Sequence, residues 1–127
     1  MKFAKWVFLL AGIVGMLELL PLYFSETKIG LDYPPAITHP EFFYGFVGVA
    51  LAWQVLFLIL ASDPLRYRLM MLPGILEKLG YGLAVMALFA AHRVAPLTLV
   101  FGSLDLLWVV LFAAAFRATR PSGSPPG

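Results

Sequence analysis

The chain contains no cysteine. Disulfides, thiolate catalysis, zinc–cysteine sites and iron–sulfur ligation are thereby excluded, and with them the four-helix thiol oxidoreductases of membranes. Charge is scarce as well. Lys, Arg, Asp and Glu make up 13% of the 127 residues, against about 25% in soluble domains. The net charge of +2 is small, and no basic run is interleaved with aromatics, so no nucleic-acid partner is expected. Motifs for covalent chemistry are missing too. There is no Gly-x-Ser-x-Gly turn, and Ser25, Ser62 and Ser103 have no histidine on an aligned face. No glycine loop suited to phosphate occurs. A di-metal carboxylate centre in a bundle needs paired Glu-x-x-His motifs. His39-Pro40-Glu41 does not replace them, and no metal site is expected.

What the chain has in abundance is apolar surface. Hydrophobic residues make up 61% of it, and the mean hydropathy is +0.90. No fold of this length has enough interior to hide that much apolar area from water, so lipid is the expected solvent. The surface concentrates in four segments, approximately 5–23, 42–62, 72–91 and 94–116. A helix needs about 20 apolar residues to cross the hydrocarbon core, and isolated strands in lipid would leave backbone groups unsatisfied. The expected fold is all-α, an integral membrane four-helix bundle formed by residues 1–120 as one domain. The low-complexity tail, 121–127, is not expected to order by itself. The start of the chain imitates a signal peptide, but no small-x-small site follows and Glu18 interrupts the run, so it reads as the first membrane helix.

Breakers agree with these limits. Pro21 and the stretch 25–40 end the first helix. Asp63-Pro64 has the form of an N-cap followed by proline at the first helical position, leading into a short interfacial turn over 65–71. Pro73 and Pro96 suit the first turns of the third and fourth helices. Orientation follows from Lys and Arg in the short loops. Lys2, Lys5, Arg66, Arg68, Arg117 and Arg120 fall on one side, Lys28 and Arg93 on the other. Both termini are therefore expected in the cytoplasm, with the 24–40 loop and the 92–95 connection outside.

Each segment carries one acid, within it or, for Glu41, at its edge, on a stripe of small residues at helical spacing. The stripes are Ala11, Gly15 and Glu18; Glu41, Gly45, Gly48 and Ala52; Glu77, Gly80, Ala84, Ala87 and Ala91; and Thr98, Gly102 and Asp105. Small residues let helices approach closely in lipid, so the acids should point into the bundle, where charge costs less than against acyl chains. Counting backbone rise places Glu18 and Asp105 about 8–12 Å below the outer interface. Two groups emerge. An outer one holds Glu18, Glu41, Asp105, His39, His92 and Arg93, and is the candidate ligand-binding or proton-handling site. An inner one holds Glu77, Lys78, Gln54, Arg66 and Arg68, and reads as an interfacial ion pair tethering the 63–72 loop. Buried carboxyls at such depth can sit neutral and donate a hydrogen bond, and for Glu18 and Asp105 plain helix-to-helix glue is the competing role. Haem or chlorophyll ligation would fall to His92 before His39. Both lie near a surface rather than on facing helices at matched depth, and neither cofactor is expected.

The first helix with Gly12, Gly15 and Glu18, the His39-Pro40-Glu41-Phe42 entry to the second, the loop Asp63-Pro64-Leu65-Arg66-Tyr67-Arg68 and Leu76-Glu77-Lys78 in the third form a recognisable layout. Over most of the chain it resembles the small four-helix bacterial membrane proteins grouped as DoxX-like. The resemblance implies a bacterial inner membrane and a role as accessory subunit or partner of redox enzymes. It carries over no catalytic residue.

The first functional expectation is a non-catalytic accessory or interaction subunit of a larger membrane complex, with other membrane proteins or its own copies as partners. Phe42, Phe43, Phe46 and Phe57 are candidates for its outer faces, against partner or lipid. The alternatives are a binder of a quinone, lipid or pigment gripped by Glu18 and Asp105, and a protein that moves a proton or cation. Catalysis, if present, would be acid–base isomerisation of an apolar substrate by the same acids.

Overall fold

Proline and glycine decide where the helices stop and how near they come. The computed structural model describes residues 2–121, so the tail from 122 onward lies outside the described residues. Five helices succeed one another: α1 Lys2–Leu19, α2 Glu26–Asp32, α3 Pro40–Ser62, α4 Met71–Ala90 and α5 Pro96–Ala118. No strand occurs among the described residues. Pro40 and Pro96 open α3 and α5 from the first turn, where a missing N–H costs nothing. Pro21 acts in the opposite sense. It has no N–H to continue the α1 ladder, and the chain tightens into a 3₁₀ turn over Leu20–Phe24. Asp63 does cap the turn that begins at Pro64: its Oδ1 accepts from the Arg66 N–H at 3.3 Å.

With their 3₁₀ extensions, the four long helices each run 23 residues and are apolar enough to cross a membrane. At about 1.5 Å per residue that is about 34 Å, against a hydrocarbon core of about 30 Å. The short α2 lies in the stretch read from sequence as loop. Tyr44 ties it to α3 by donating to Glu26 Oε1 at 2.9 Å, and Lys28 pairs with Asp32 along its exposed side at 2.8 Å. The hydrogen bond to Asp32 holds the Lys28 pKa above the usual lysine value.

The long helices associate as two close pairs, α1 with α3 and α4 with α5, joined mainly through α1 against α5. Glycines set both pairs. A Cβ on Gly12 or Gly15 would overlap Leu58 or Gln54 of α3, and one on Gly82 or Gly102 would overlap Leu106 or Val85 across the α4–α5 seam. By contrast α3 and α4 approach each other little. This corrects two of the expected stripes. Gly45 and Gly80 face open space, and Ala52, Ala84, Ala87 and Ala91 are exposed. The inward faces are instead Val47, Ala50, Gln54 and Phe57 on α3 and Gly74, Lys78, Gly82 and Val85 on α4. Small residues alone did not mark these faces, because large apolar side chains fill the space between wider-spaced helices.

Packing differs between the two ends of the bundle. The end where α1 begins and α5 finishes is solid. Phe8, Phe57 and Phe112 are fully buried there, with Phe8 and Phe112 centroids 4.3 Å apart and Phe57 and Phe112 5.1 Å apart. Trp108, Met71 and Leu60 complete the core. Phe57, expected on an outer face, is thus at its centre, and Gly74 gives it room. The α2 end is hollow.

Candidate functional site

The hollow is a cavity of about 400 Å³ into which all four long helices project. Its walls are mostly apolar: Leu19 and Leu22 from the first helix and its 3₁₀ turn, Phe46 and Ala50 from α3, Leu97 and Phe101 from α5. Ile29 and Tyr33, from α2 and its end, roof it. Its floor is polar. Glu18, Glu77, Asp105 and Lys78 all line it, together with Gln54 and Tyr81.

Lys78 is the centre of this group. Its side chain is 6% exposed, and Nζ lies 3.8 Å from both Asp105 Oδ1 and Glu77 Oε2. Both separations are those of ion pairs and are too long for hydrogen bonds. Below the ammonium lies the Phe57 ring, 5.3 Å to its centroid, so the cation sits on the aromatic core and faces the cavity. Gln54 is 1% exposed. Its Nε2 donates to the Ala50 carbonyl at 2.8 Å, while Oε1 has no hydrogen-bond partner. Glu77 Oε2 lacks one as well. Buried polar atoms left this way are costly, and they are uncommon in folded proteins.

The structure therefore regroups the residues expected from sequence. Glu18 and Asp105 of the outer group meet Glu77, Lys78 and Gln54 of the inner one. Backbone rise sets the heights along the helices, and the reach of the lysine stem closes the remaining gap. Of the basic residues expected around Glu77, Lys78 lies beside it, while Arg66 and Arg68 make no ion pair with it. Arg68 turns to the end of α5, where Nη2 donates to the Phe116 carbonyl at 2.7 Å and Nε to Thr119 Oγ1 at 3.2 Å. Arg66 is exposed and lies over the Tyr67 ring.

The remaining members of the outer group stand apart from the cavity. Glu41 is exposed at the start of α3 and borders a shallower groove between α3 and α4. His39, also exposed, pairs with it at 3.4 Å. His92 and Arg93 are exposed in the α4–α5 connection. There His92 adopts φ 58°, its N–H bonds the Phe89 carbonyl, and the Arg93 N–H bonds that of Leu88. This is a Schellman stop, which gives His92 a backbone role. Among the described residues no group of three or more His, Asp or Glu could hold a metal ion.

Tyr81 carried no signal of a site in the sequence, and Phe46 was expected only on an outer face. They stack across the open α3–α4 side, centroids 6.0 Å apart at 29°, and border both the cavity and the groove outside it.

No family model matches this chain, and neither a curated protein nor a solved structure is significantly similar to it.

Proposed function

We propose that this is a multi-pass membrane protein that takes a small amphipathic ligand from the lipid into the space between its helices. The observation that carries the reading is the cavity of about 400 Å³, apolar in its walls and charged at its floor. Ligand sites are concave, mostly apolar and furnished with a few convergent polar groups. The loop charges orient both termini toward the cytoplasm, which puts the cavity in the outer half of the bilayer. Glu18, Glu77, Asp105 and Lys78 would hold the polar end of the ligand and the walls its apolar body. The aromatic core at the opposite end argues against a continuous route for ions.

The accessory-subunit role rests on less. Exposed side chains such as Leu17, Phe42 and Leu76 suit acyl chains and a partner's helices alike. Kinship with the DoxX-like proteins, and with it a bacterial inner membrane, belongs to the same proposal and rests on the sequence motifs alone.

Native mass spectrometry of the protein drawn from its own membrane tests the reading. The wild type should retain a small organic molecule. Thr98→Trp, which fills the cavity from α5, should release it. Equal retention by both, or none by either, would count against a ligand site.

A further inference from the structure

We propose that the occupant is a lipophilic organic cation, admitted sideways between α3 and α4 past Phe46 and Tyr81. This rests on the reading of the cavity as a ligand site and names the chemistry it selects.

The first argument is the balance of charge. Three carboxyls, Glu18, Glu77 and Asp105, line the cavity against one ammonium, Lys78. Lys78 already stands between Glu77 and Asp105. Among the described residues no basic side chain lies within 4.0 Å of Glu18. Formal charge thus leaves an acidic surplus in an apolar enclosure, where it is relieved either by protonation or by a bound cation that takes the proton's place.

The second argument adds a neutral side chain, Gln54, to one of the acids. The orphaned buried atoms are Gln54 Oε1 and Glu77 Oε2. Both are acceptors in the orientation found. A ligand that only accepts, such as a ketone or ester, has nothing to offer them, whereas positive charge nearby compensates unpaired acceptors even where, as for Gln54 Oε1 beside Gly15, the atom is packed against a neighbouring helix. Gln54, almost wholly buried and not itself an acid, adds a neutral unpaired acceptor to the residues that line the cavity.

The third argument is the lining. Tyr33, Phe46, Tyr81 and Phe101 present rings to the same space, and aromatic faces attract organic cations through their quadrupole. The route comes from the packing. Contact along the helices closes the α1–α3 and α4–α5 seams, while α3 and α4 diverge. On that side the residues bordering both the cavity and the outer groove are Phe46, Ala50, Glu77 and Tyr81, and the stacked rings of Phe46 and Tyr81 are the bulkiest of them.

The test uses the full chain in phosphatidylcholine nanodiscs, with empty discs as reference. Equilibrium dialysis compares tetraphenylphosphonium, tetraphenylborate of the same shape and opposite charge, and a neutral alkyl benzoquinone. Saturable cation binding is expected, with the anion at least about tenfold weaker and Glu18→Gln weakening the cation by about tenfold. The wild-type comparison needs no variant to fold. Equal binding of both ions overturns the cation assignment. Binding of the quinone without the cation overturns it too, yet leaves the ligand site standing. No saturable binding of any probe brings down both. For the route, Phe46→Ala should speed cation association by about tenfold or more, and an unchanged rate overturns lateral entry.

Discussion

Lys78 reaches from α4 to Asp105 on α5, Nζ to Oδ1 3.8 Å, where the cavity meets the aromatic core. The contact lets a charged side chain occupy the middle of an apolar bundle. Lys78→Met leaves Glu77 and Asp105 without a counter-charge, and removing one partner of a buried pair costs about 3–5 kcal/mol. Adding Asp105→Asn should return more than half of that loss. Unfolding of the single and double variants in one detergent checks it. Strict additivity would mean that the two groups do not interact.

Gly15 and Gln54 make a second such relation, between α1 and α3. A side chain on Gly15 would occupy the place of the Gln54 carboxamide. Gly15→Ala should cost about 1–3 kcal/mol by overpacking, although alanine is the better helix former. In a Gln54→Ala background the same change should be close to neutral. A full cost in both backgrounds would show that the helices meet elsewhere.

Much of this architecture was legible in the sequence. Four apolar lengths specify four long helices, since hydrogen bonding in an apolar solvent leaves no alternative for single segments. On α1 and α5 the small-residue stripes were also right: Gly15 and Gly102 sit in tight seams, and Glu18 and Asp105 face one space. On α3 and α4 the stripes misled. These two helices lie apart, so Val47, Phe57 and Val85 point inward while Gly45 and Gly80 do not. That spacing is a property of the whole bundle, and no single segment encodes it. For the same reason the meeting of Glu77 and Lys78 with Glu18 and Asp105 could not be read from backbone heights. The α2 helix was hidden by its length, because seven residues carry too little periodicity to stand out.

His92 ends α4 in the left-handed region, at φ 58°. A non-glycine residue there costs about 1–2 kcal/mol, partly offset by the greater freedom glycine has when unfolded. His92→Gly should therefore stabilise the protein by about 0.5–1 kcal/mol. A rise in thermal midpoint supports the backbone role. A fall, or loss of a bound pigment, would restore the histidine as a ligand.

Arg68 and Arg66 are near neighbours with different roles. Arg68 hydrogen-bonds the Phe116 carbonyl and stacks at 3.6 Å on its ring, so it satisfies the C-terminal end of α5 and complements its dipole. Arg68→Ala should lose about 1.5–3 kcal/mol, the range for hydrogen bonds to charged groups. Arg66→Ala should change stability by less than about 0.5 kcal/mol, as exposed positions do. Chemical unfolding of the two variants side by side measures both. Equal losses would mean that both act through loop charge alone.

The absence of cysteine makes topology directly measurable, because any thiol introduced is the sole one in the chain. Lys28 on α2 and Arg66 in the 63–70 connection are both exposed and mark opposite ends of the bundle. If the loop charges set the orientation, Lys28→Cys reacts with a membrane-impermeant maleimide on intact cells, and Arg66→Cys reacts only after the membrane is opened. Each substitution removes one positive charge, so Lys28→Ser and Arg66→Ser controls should preserve membrane insertion. The result also decides which leaflet feeds the cavity, since Ile29 and Tyr33 close it at the α2 end. Labelling at Lys28→Cys puts the Phe46–Tyr81 side in contact with the outer leaflet. The reverse pattern would turn the cavity to the cytoplasmic leaflet, and any ligand would then have to arrive from inside the cell.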